Sequence, residues 1–518
     1  MRVPLSLADF LDRAALHGDA VAVVDEPGGP AALGELTYAG LRRRAVGMAR
    51  ELARMGIGHG ERVAIVSPNS ARFVVALLGV SASGRVLVPV NFRLNADEVG
   101  YVVAHSGARV LLVDPELDEA LRGVRAQHRI VLDGEADAGL FAEDDGDMPP
   151  WAPDEDATAT INYTSGTTAR PKGARLTHRT LVLHAMSIGW HLGVAPRDVY
   201  LHTLPLFHAN GWGLPYACAA MGTLQVILRR VDGAEALRRV ERHGVTLMCG
   251  APAVADAIVG AAEAAGLGPG EAPGAGRARI FVGGASPPSS TVRAVEERLG
   301  WELMHGYGLT EAAPLLTINR RRAGEEALDR DVRARRIARQ GIAAVGVRVR
   351  LADDGELLAR SNHVFDGYWE QPEESATALA DGWLHTGDGA RLDDEGFVTI
   401  TDRRKDVIVT GGENVSSIEV EDHLRAHPDV ADCAVIGVPD ERWGETVLAI
   451  VTLRQGGAAD EAALIAHCRE RMAHFKAPRR IEIRDALPRT ATGKVQKFLL
   501  RAPYWEGVTP AGPAGRAG

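Results

Sequence analysis

The sequence predicts an α/β protein: a large N-terminal domain of stacked, mostly parallel sheets flanked by helices, with a β subdomain, followed by a small mobile α+β domain. Three observations predict it. Strand and helix patterns alternate through most of the chain, which calls for a largely parallel sheet covered on both faces. Several strands end in glycine-rich loops, at Gly283-Gly284 and Gly306-Tyr307-Gly308, and open α/β sheets bind ligands at the carboxyl ends of their strands. The composition shifts near Asp402-Arg403-Arg404-Lys405-Asp406, so residues 1–402 and 403–518 are expected to be separate domains.

The elements follow in order. Thr37 caps a helix in which Leu41, Ala45, Met48 and Leu52 recur at four- and three-residue steps until Gly56 stops it. Residues 63–66 form a short buried strand, 70–78 a helix and 87–90 a strand. Asn95 caps a helix running to His105, and 110–113 is another strand. The acidic stretch 134–156, with Pro149-Pro150, reads as a connector between two sheets. Residues 159–163 form a strand that feeds a polar loop. Residues 200–208 are a strand running into a loop, continued by the glycine-rich Ala209-Asn210-Gly211-Trp212-Gly213. The strand 279–282 ends in Gly283-Gly284-Ala285-Ser286, and 301–305 ends in a loop that opens at Gly306. Residues 265–277 read as a flexible loop. The charged run from Arg320 to Arg339 is either a solvated helix or a binding surface. Two short strands, 384–388 and 396–401, make a small β element. Beyond them come a helix (418–424), strands (431–437 and 447–453), a helix (461–472) and a strand (481–483). The tail from Val508 is expected to be disordered.

Size and composition bound the function. At 518 residues the chain exceeds one core. A net charge of −10, from 58 basic and 68 acidic residues, argues against bulk nucleic-acid binding. Cys218, Cys249, Cys433 and Cys468 lie far apart without a CxxC pair, which predicts neither a zinc site nor a disulfide framework. No apolar run is long enough for a membrane span and the N-terminus lacks a signal-peptide core, so a cytoplasmic protein is expected.

The loop 163–173 carries the most chemistry. Thr164, Ser165, Thr167 and Thr168 crowd four hydroxyls around Gly166, and Lys172-Gly173 closes it. Backbone N–H groups and hydroxyls can wrap phosphate oxygens there while Lys172 supplies a mobile charge. It is no Walker A loop, since GxxxxGK[ST] cannot be read in it. Taken alone, a polar surface turn remains the alternative.

Six motifs in register resemble the adenylate-forming superfamily, in its acyl-CoA synthetase branch. They are the loop 163–173, Gly306-Tyr307-Gly308-Leu309-Thr310-Glu311, Thr386-Gly387-Asp388, Asp402-Arg403-Arg404-Lys405-Asp406, Gly411-Gly412-Glu413-Asn414 and the segment Pro488 to Lys494. The resemblance spans residues 5–505. The family usually has glycine where Ala169 stands, and the stretch from Val349 to Gly355 is shorter than usual.

The resemblance implies an ATP- and Mg²⁺-dependent carboxylate–CoA ligase working through an acyl-adenylate on a fatty or other hydrophobic or aromatic acid. The rival is an amide synthetase or carrier-protein ligase of specialised metabolism. A small-molecule acid is the expected partner, with no nucleic acid and no membrane span, and a homodimer is allowed. By the same resemblance Lys494 is the adenylation lysine, Thr310 and Glu311 touch phosphate and hold Mg²⁺ with Thr167, and Lys172 joins the hydroxyls of 164–168 on phosphate. Asp388 would take the ribose hydroxyls beside Arg403. Tyr307 would stack on adenine next to Gly308, with Gly284 and Ala285 allowing close approach. Lys405 would be the hinge, and Gly411, Gly412 and Glu413 would line the CoA channel. Phe207, Trp212, Gly306 and Leu315 would shape the acyl pocket.

Each residue has a plainer reading. Asp388 could be a turn-forming Asp, Glu311 a helix N-terminal carboxylate and Lys494 a solvated lysine; the motifs count because they occur together. His208 either borders the reacting carboxylate or satisfies a core hydrogen bond. Trp212 either gates an acyl tunnel or packs in the core.

Overall fold

The computed structural model describes residues 3–29, 32–164, 170–403, 406, 408–410, 413–440, 442–489 and 495–506, with the backbone alone at 402, 403, 409 and 414. The chain divides into two compact units, residues 1–349 with 358–385 and residues 350–357 with 386–518.

The first unit holds two large sheets. The nine-stranded sheet runs in the order Ile342–Ala343, Leu315–Asn319, Glu302–Gly308, Arg279–Val282, Leu247–Gly250, Val199–His202, Leu224–Ile227, Val21–Val24, Glu35–Thr37. From Glu302–Gly308 to Val21–Val24 every neighbouring pair is parallel, and antiparallel strands close both edges. The six-stranded sheet runs His128–Val131, Val110–Val113, Arg62–Val66, Val86–Val90, Thr158–Thr164, Lys172–Thr177. Only its last pair is antiparallel. Strands buried on both faces need no polar alternation, and Val86–Val90 and Val110–Val113 are buried at every residue.

Local chemistry sets the helices where the sequence places them. Thr37 accepts from Gly40 N at the start of Tyr38–Arg54, Ser70 accepts from Phe73 N before Ala71–Ala82, and Asn95 with Glu98 forms a capping box before Ala96–Ser106. Helix Ala71–Ala82 is buried along its whole length, with its one charged residue, Arg72, paired to Asp137. Asn69 ties the sheets together. Its amide nitrogen donates to the carbonyls of His202 and Leu204 at 3.0 Å, and its oxygen accepts from Leu206 N at 2.8 Å.

Several expectations need correction. The acidic stretch 134–156 does not connect two sheets, because His128–Val131 and Thr158–Thr164 belong to the same one. It is anchored to helix Ala71–Ala82: fully buried Asp137 pairs with Arg72 at 2.5 Å, and Trp151 Nε1 donates to Ala82 O at 3.0 Å. Gly306, Tyr307 and Gly308 lie in a strand, not a loop, because the chain turns back through Leu315–Asn319 and pairs with them. The segment 265–277 is fastened where Trp301 Nε1 reaches Pro273 O at 2.9 Å. Within the run 320–339, Arg330–Ile337 is helical with Ala334 and Ile337 buried, and Arg321 and Arg333 both clasp Glu296. It is a covering helix, solvated on one side only.

A four-stranded sheet runs in the order Val347–Leu351, Glu356–Ser361, Leu384–Leu392, Val398–Arg403. In the second unit, Glu413–Val415, Ile408–Thr410, Gly444–Leu453 and Val430–Asp440 lie in that order, and Arg480–Ile483 pairs with Gly444–Leu453. Strand side chains alternate between two cores, Cys433 and Val435 in one, Ala434 and Ile436 in the other. Among the described residues no helix is long and apolar enough to cross a membrane. The tail beyond Val508, Lys405 and Lys494 lie outside the described residues.

Candidate functional site

Thr158–Thr164 and Lys172–Thr177 form a hairpin in which Thr164 pairs with Lys172, so the polar loop leaves one strand and returns as another. Ser165, Gly166, Thr167, Thr168 and Ala169 lie outside the described residues. The stem is clamped by helix Ala96–Ser106: Tyr101 OH donates to Pro171 O at 3.2 Å, and His105 Nδ1 lies 2.8 Å from Tyr163 OH. Arg170 sits over the Tyr101 ring. A methyl carbon on Gly173 would lie 2.8 Å from Ile161 Cγ2, so the returning strand has no room for a side chain there.

Beside the returning strand runs the segment 365–369. Trp369 N donates to Gly173 O at 2.7 Å, Arg175 N to Gly367 O at 3.0 Å, and Phe365 N to Glu311 O at 2.8 Å. Tyr368 thereby reaches two predicted site residues at once. Its hydroxyl donates to Glu311 Oε1 at 2.7 Å, and Lys172 Nζ lies 5.1 Å from the ring centroid. Burial, then the Glu311 carboxylate, pushes the phenol well above its ordinary range, so the hydroxyl stays a donor. Thr310 and Glu311 begin a single 3₁₀ turn, Thr310–Ala312. Among the described residues no group of three or more His, Cys, Asp or Glu could hold a metal ion. One carboxylate with neighbouring hydroxyls is a hard oxygen set, which fits Mg²⁺ bound mainly through phosphates.

The loops after the nine-stranded sheet are shaped by glycines. Gly284 takes φ +80° at the end of Arg279–Val282, a conformation that suits glycine. A methyl on Gly283 would lie 2.8 Å from Trp212 Cη2, and one on Gly306 would lie 2.5 Å from Phe281 Cζ. The two rings fill the space these glycines leave and meet edge to face, 5.7 Å apart. Tyr307 is half-buried in the strand Glu302–Gly308.

His208 opens an unusual turn. Ala209, Asn210, Gly211, Trp212 and Gly213 all have positive φ, from 35° to 76°, a left-handed turn that costs roughly 1–2 kcal/mol for each non-glycine residue. Buried contacts hold it. Asn210 Nδ2 donates to Thr160 Oγ1 at 3.0 Å, and His184 Nε2 donates to Trp212 O at 3.1 Å. Burial, then the neighbouring His363, lowers His184 to about 3. His363, also lowered by burial, donates to Leu315 O at 2.9 Å. Trp212, Leu315 and Phe207 are buried, and Phe207 meets Phe92 edge to face.

In the second unit Asp388 pairs in register with Arg403. Its turn is built by Gly387, with φ +72°, and by Thr386, whose hydroxyl accepts from Asp388 N at 3.2 Å. Glu413 is exposed and pairs with Thr410, while Gly411 and Gly412 lie outside the described residues. Of the lysine segment, the stem is described: Arg489 bridges to Val495, and Gln496 N donates to Pro488 O at 2.8 Å. Lys497 pairs with Glu421 at 2.8 Å.

The structure thus joins Lys172 to Glu311 through Tyr368, and Gly306 to Trp212 through Phe281. Sequence reasoning missed Tyr368, Phe281, His184 and the clamp from Tyr101 and His105. The aromatic pair Tyr368-Trp369 after Gly367 was a local signal, but its partners lie far away in the chain.

Two mostly parallel sheets, a hydroxyl-rich hairpin with a lysine on its returning strand, and glycine-shaped strand ends are the marks of a nucleotide-using α/β enzyme class. The chain belongs to the adenylate-forming superfamily, in its acyl-CoA synthetase branch: the AMP-binding enzyme model matches residues 10–369 and the AMP-binding enzyme C-terminal domain residues 419–494. It is similar to the 2-methylpropanoate–CoA ligase of Humulus lupulus, at 35% identity over 96% of this chain and 95% of that protein. It is also similar to the feruloyl-CoA synthase of an Amycolatopsis species, at 37% identity over 90% and 93%. Among solved structures it resembles ATP-bound MatB from Rhodopseudomonas palustris, with TM-score 0.84, 28% identity and coverage of 96% and 99%.

Proposed function

We propose that this protein is an ATP-dependent carboxylate–CoA ligase: the acid attacks the α-phosphate of ATP, pyrophosphate leaves, and CoA thiol takes the acyl group from the adenylate, releasing AMP. The observation that carries the reading is the arrangement at Tyr368, with the Lys172 ammonium on its ring and the Glu311 carboxylate on its hydroxyl, beside the returning strand of the hydroxyl-rich hairpin. A relative named as a CoA ligase and one named as a CoA synthase align over 96% and 90% of the chain.

In this reading Lys172 and the hydroxyls of 164–168 bind phosphate oxygens, where charge spreads in the transition state. Thr310, Glu311 and Thr167 would hold Mg²⁺, which when bound neutralises phosphate charge. Tyr307 and Gly308 take adenine beside Gly284 and Ala285, Asp388 with Arg403 takes ribose, and Lys494 bridges carboxylate and α-phosphate. Lys405 is the pivot that exchanges Lys494 for Gly411, Gly412 and Glu413 before thioester formation. His208 borders the carboxylate. In this reading Phe207, Trp212, Gly306 and Leu315, with Phe281 beside them, face the acyl group; the apolar side chains among them are buried, which favours a hydrophobic or aromatic acid. A cytoplasmic setting accords with four free, buried thiols.

The test is ATP–pyrophosphate exchange across a panel of carboxylic acids, followed by CoA, amines and a holo carrier protein offered separately, with products identified by mass. A CoA thioester supports the ligase. An amide or carrier-bound product replaces it with the rival acceptor, and no exchange with any acid overturns adenylation.

A further inference from the structure

We infer that Tyr368 is a positioning residue that keeps Lys172 and Glu311 apart and orients the Glu311 carboxylate for a nucleotide-bound cation; this rests on the ligase reading. The phosphate-binding ammonium and the metal-binding carboxylate are opposite charges close enough for one side chain to touch both. Direct pairing would neutralise each and withdraw both from the nucleotide. Among the described residues no ion pair joins them. Tyr368 stands between, its ring facing Lys172 Nζ at 5.1 Å and its hydroxyl donating to Glu311 Oε1 at 2.7 Å. A cation over an aromatic face is attracted without being discharged.

The tyrosine is fixed from several directions. Phe365 N donates to Glu311 O at 2.8 Å and Trp369 N donates to Gly173 O at 2.7 Å, so the segment is tied to Glu311 itself and to the residue next to Lys172. Tyr368 N donates to Ser375 Oγ at 2.8 Å, and its ring meets Phe365 edge to face at 4.9 Å. With Oε1 engaged by the phenol, the carboxylate has a set orientation and a second oxygen for a cation. A hydrogen-bonded neighbour of this kind typically contributes 10- to 100-fold in metal affinity.

The test uses the full-length protein with α,β-methylene ATP, and reads Mn²⁺ binding by electron paramagnetic resonance and nucleotide binding by calorimetry. Tyr368→Phe keeps the ring and removes the hydroxyl. It is expected to weaken Mn²⁺ binding to the enzyme–nucleotide complex by about 10- to 100-fold while leaving metal-free nucleotide affinity and melting temperature unchanged. Tyr368→Leu removes the spacer too, so metal-free nucleotide affinity should also fall, and Glu311→Gln in that background should restore it by releasing Lys172. Unchanged Mn²⁺ affinity in Tyr368→Phe overturns the orienting role, and a loss in Tyr368→Leu that Glu311→Gln does not recover overturns the separating role. If Tyr368→Leu does not fold, the Mn²⁺ affinity of Tyr368→Phe decides alone. A wild-type protein that binds no nucleotide overturns the ligase reading instead.

Discussion

Four histidines make the first unit acid-sensitive, and the size of the effect follows from their burial. Burial alone, or as the leading cause, lowers His178, His202 and His305 to about 4 and His184 to about 3, against an ordinary value of 6.5. In the folded unit these imidazoles stay neutral well below the pH at which the unfolded chain protonates them. Acidification therefore stabilises the unfolded state first: stability falls as the pH drops below about 6.5 and is restored as it rises again. At pH 6 each group takes up about three quarters of a proton on unfolding, so the four together bind about 3 protons and impose a slope of about 4 kcal/mol per pH unit. Integrated from pH 7.5, the loss is about 3 kcal/mol at pH 6 and about 8 kcal/mol at pH 5, comparable to the whole stability of an ordinary domain. Urea unfolding followed by tryptophan fluorescence at pH 7.5, 6.5 and 6 measures the slope above the carboxylate range. A dependence below about 1.4 kcal/mol per unit at pH 6, one proton or fewer, would refute the buried neutral assignment.

Three other outcomes are expected. Lys494→Ala should lose at least about 100-fold in pyrophosphate exchange yet still form thioester from supplied acyl-adenylate; equal loss in both steps would show that the lysine does not serve adenylation alone. Trp212→Ala opens a void against Phe281 and Gly283, lowering stability by about 3–5 kcal/mol and admitting longer acids. An unaltered acid profile in that destabilised variant would make Trp212 a packing residue only. Gly306→Ala drives a methyl to 2.5 Å from Phe281 Cζ and should cost about 1–3 kcal/mol, recovered in part by Phe281→Leu; urea midpoints of the single and double variants check it.

What could be read from the sequence was local. Thr37, Ser70 and Asn95 announce their helices because a cap acts within three residues, and Val86–Val90 announces a strand because its burial is continuous. The hydroxyl-rich loop was legible because its residues are consecutive, whereas the returning strand Lys172–Thr177, which makes it a hairpin, was not. Tyr368 was not, since Glu311 lies 57 residues earlier and Lys172 earlier still, on the returning strand of the hairpin. The left-handed turn at Ala209–Gly213 was hidden for another reason: Ala209, Asn210 and Trp212 carry no local preference for positive φ strong enough to outweigh its cost, and buried partners from other elements hold them there. The connector 134–156 misled because acidic residues normally mark solvent, whereas Asp137 is neutralised inside by Arg72.

The order of strands in the nine-stranded sheet bears on how the chain is made. Val23 pairs with Leu36 on one side and with Gln225 on the other, so the inner edge of an apolar strand near the start must wait on the ribosome for a partner about two hundred residues later. At common synthesis rates that is roughly 10–40 s with an unsatisfied strand edge. The six-stranded sheet has no such delay, since its strands all fall between Arg62 and Thr177, and it can close first as a template. Nascent chains stopped before residue 224 should therefore expose Val21–Val24 and Glu35–Thr37 to chaperones, and longer ones should release them.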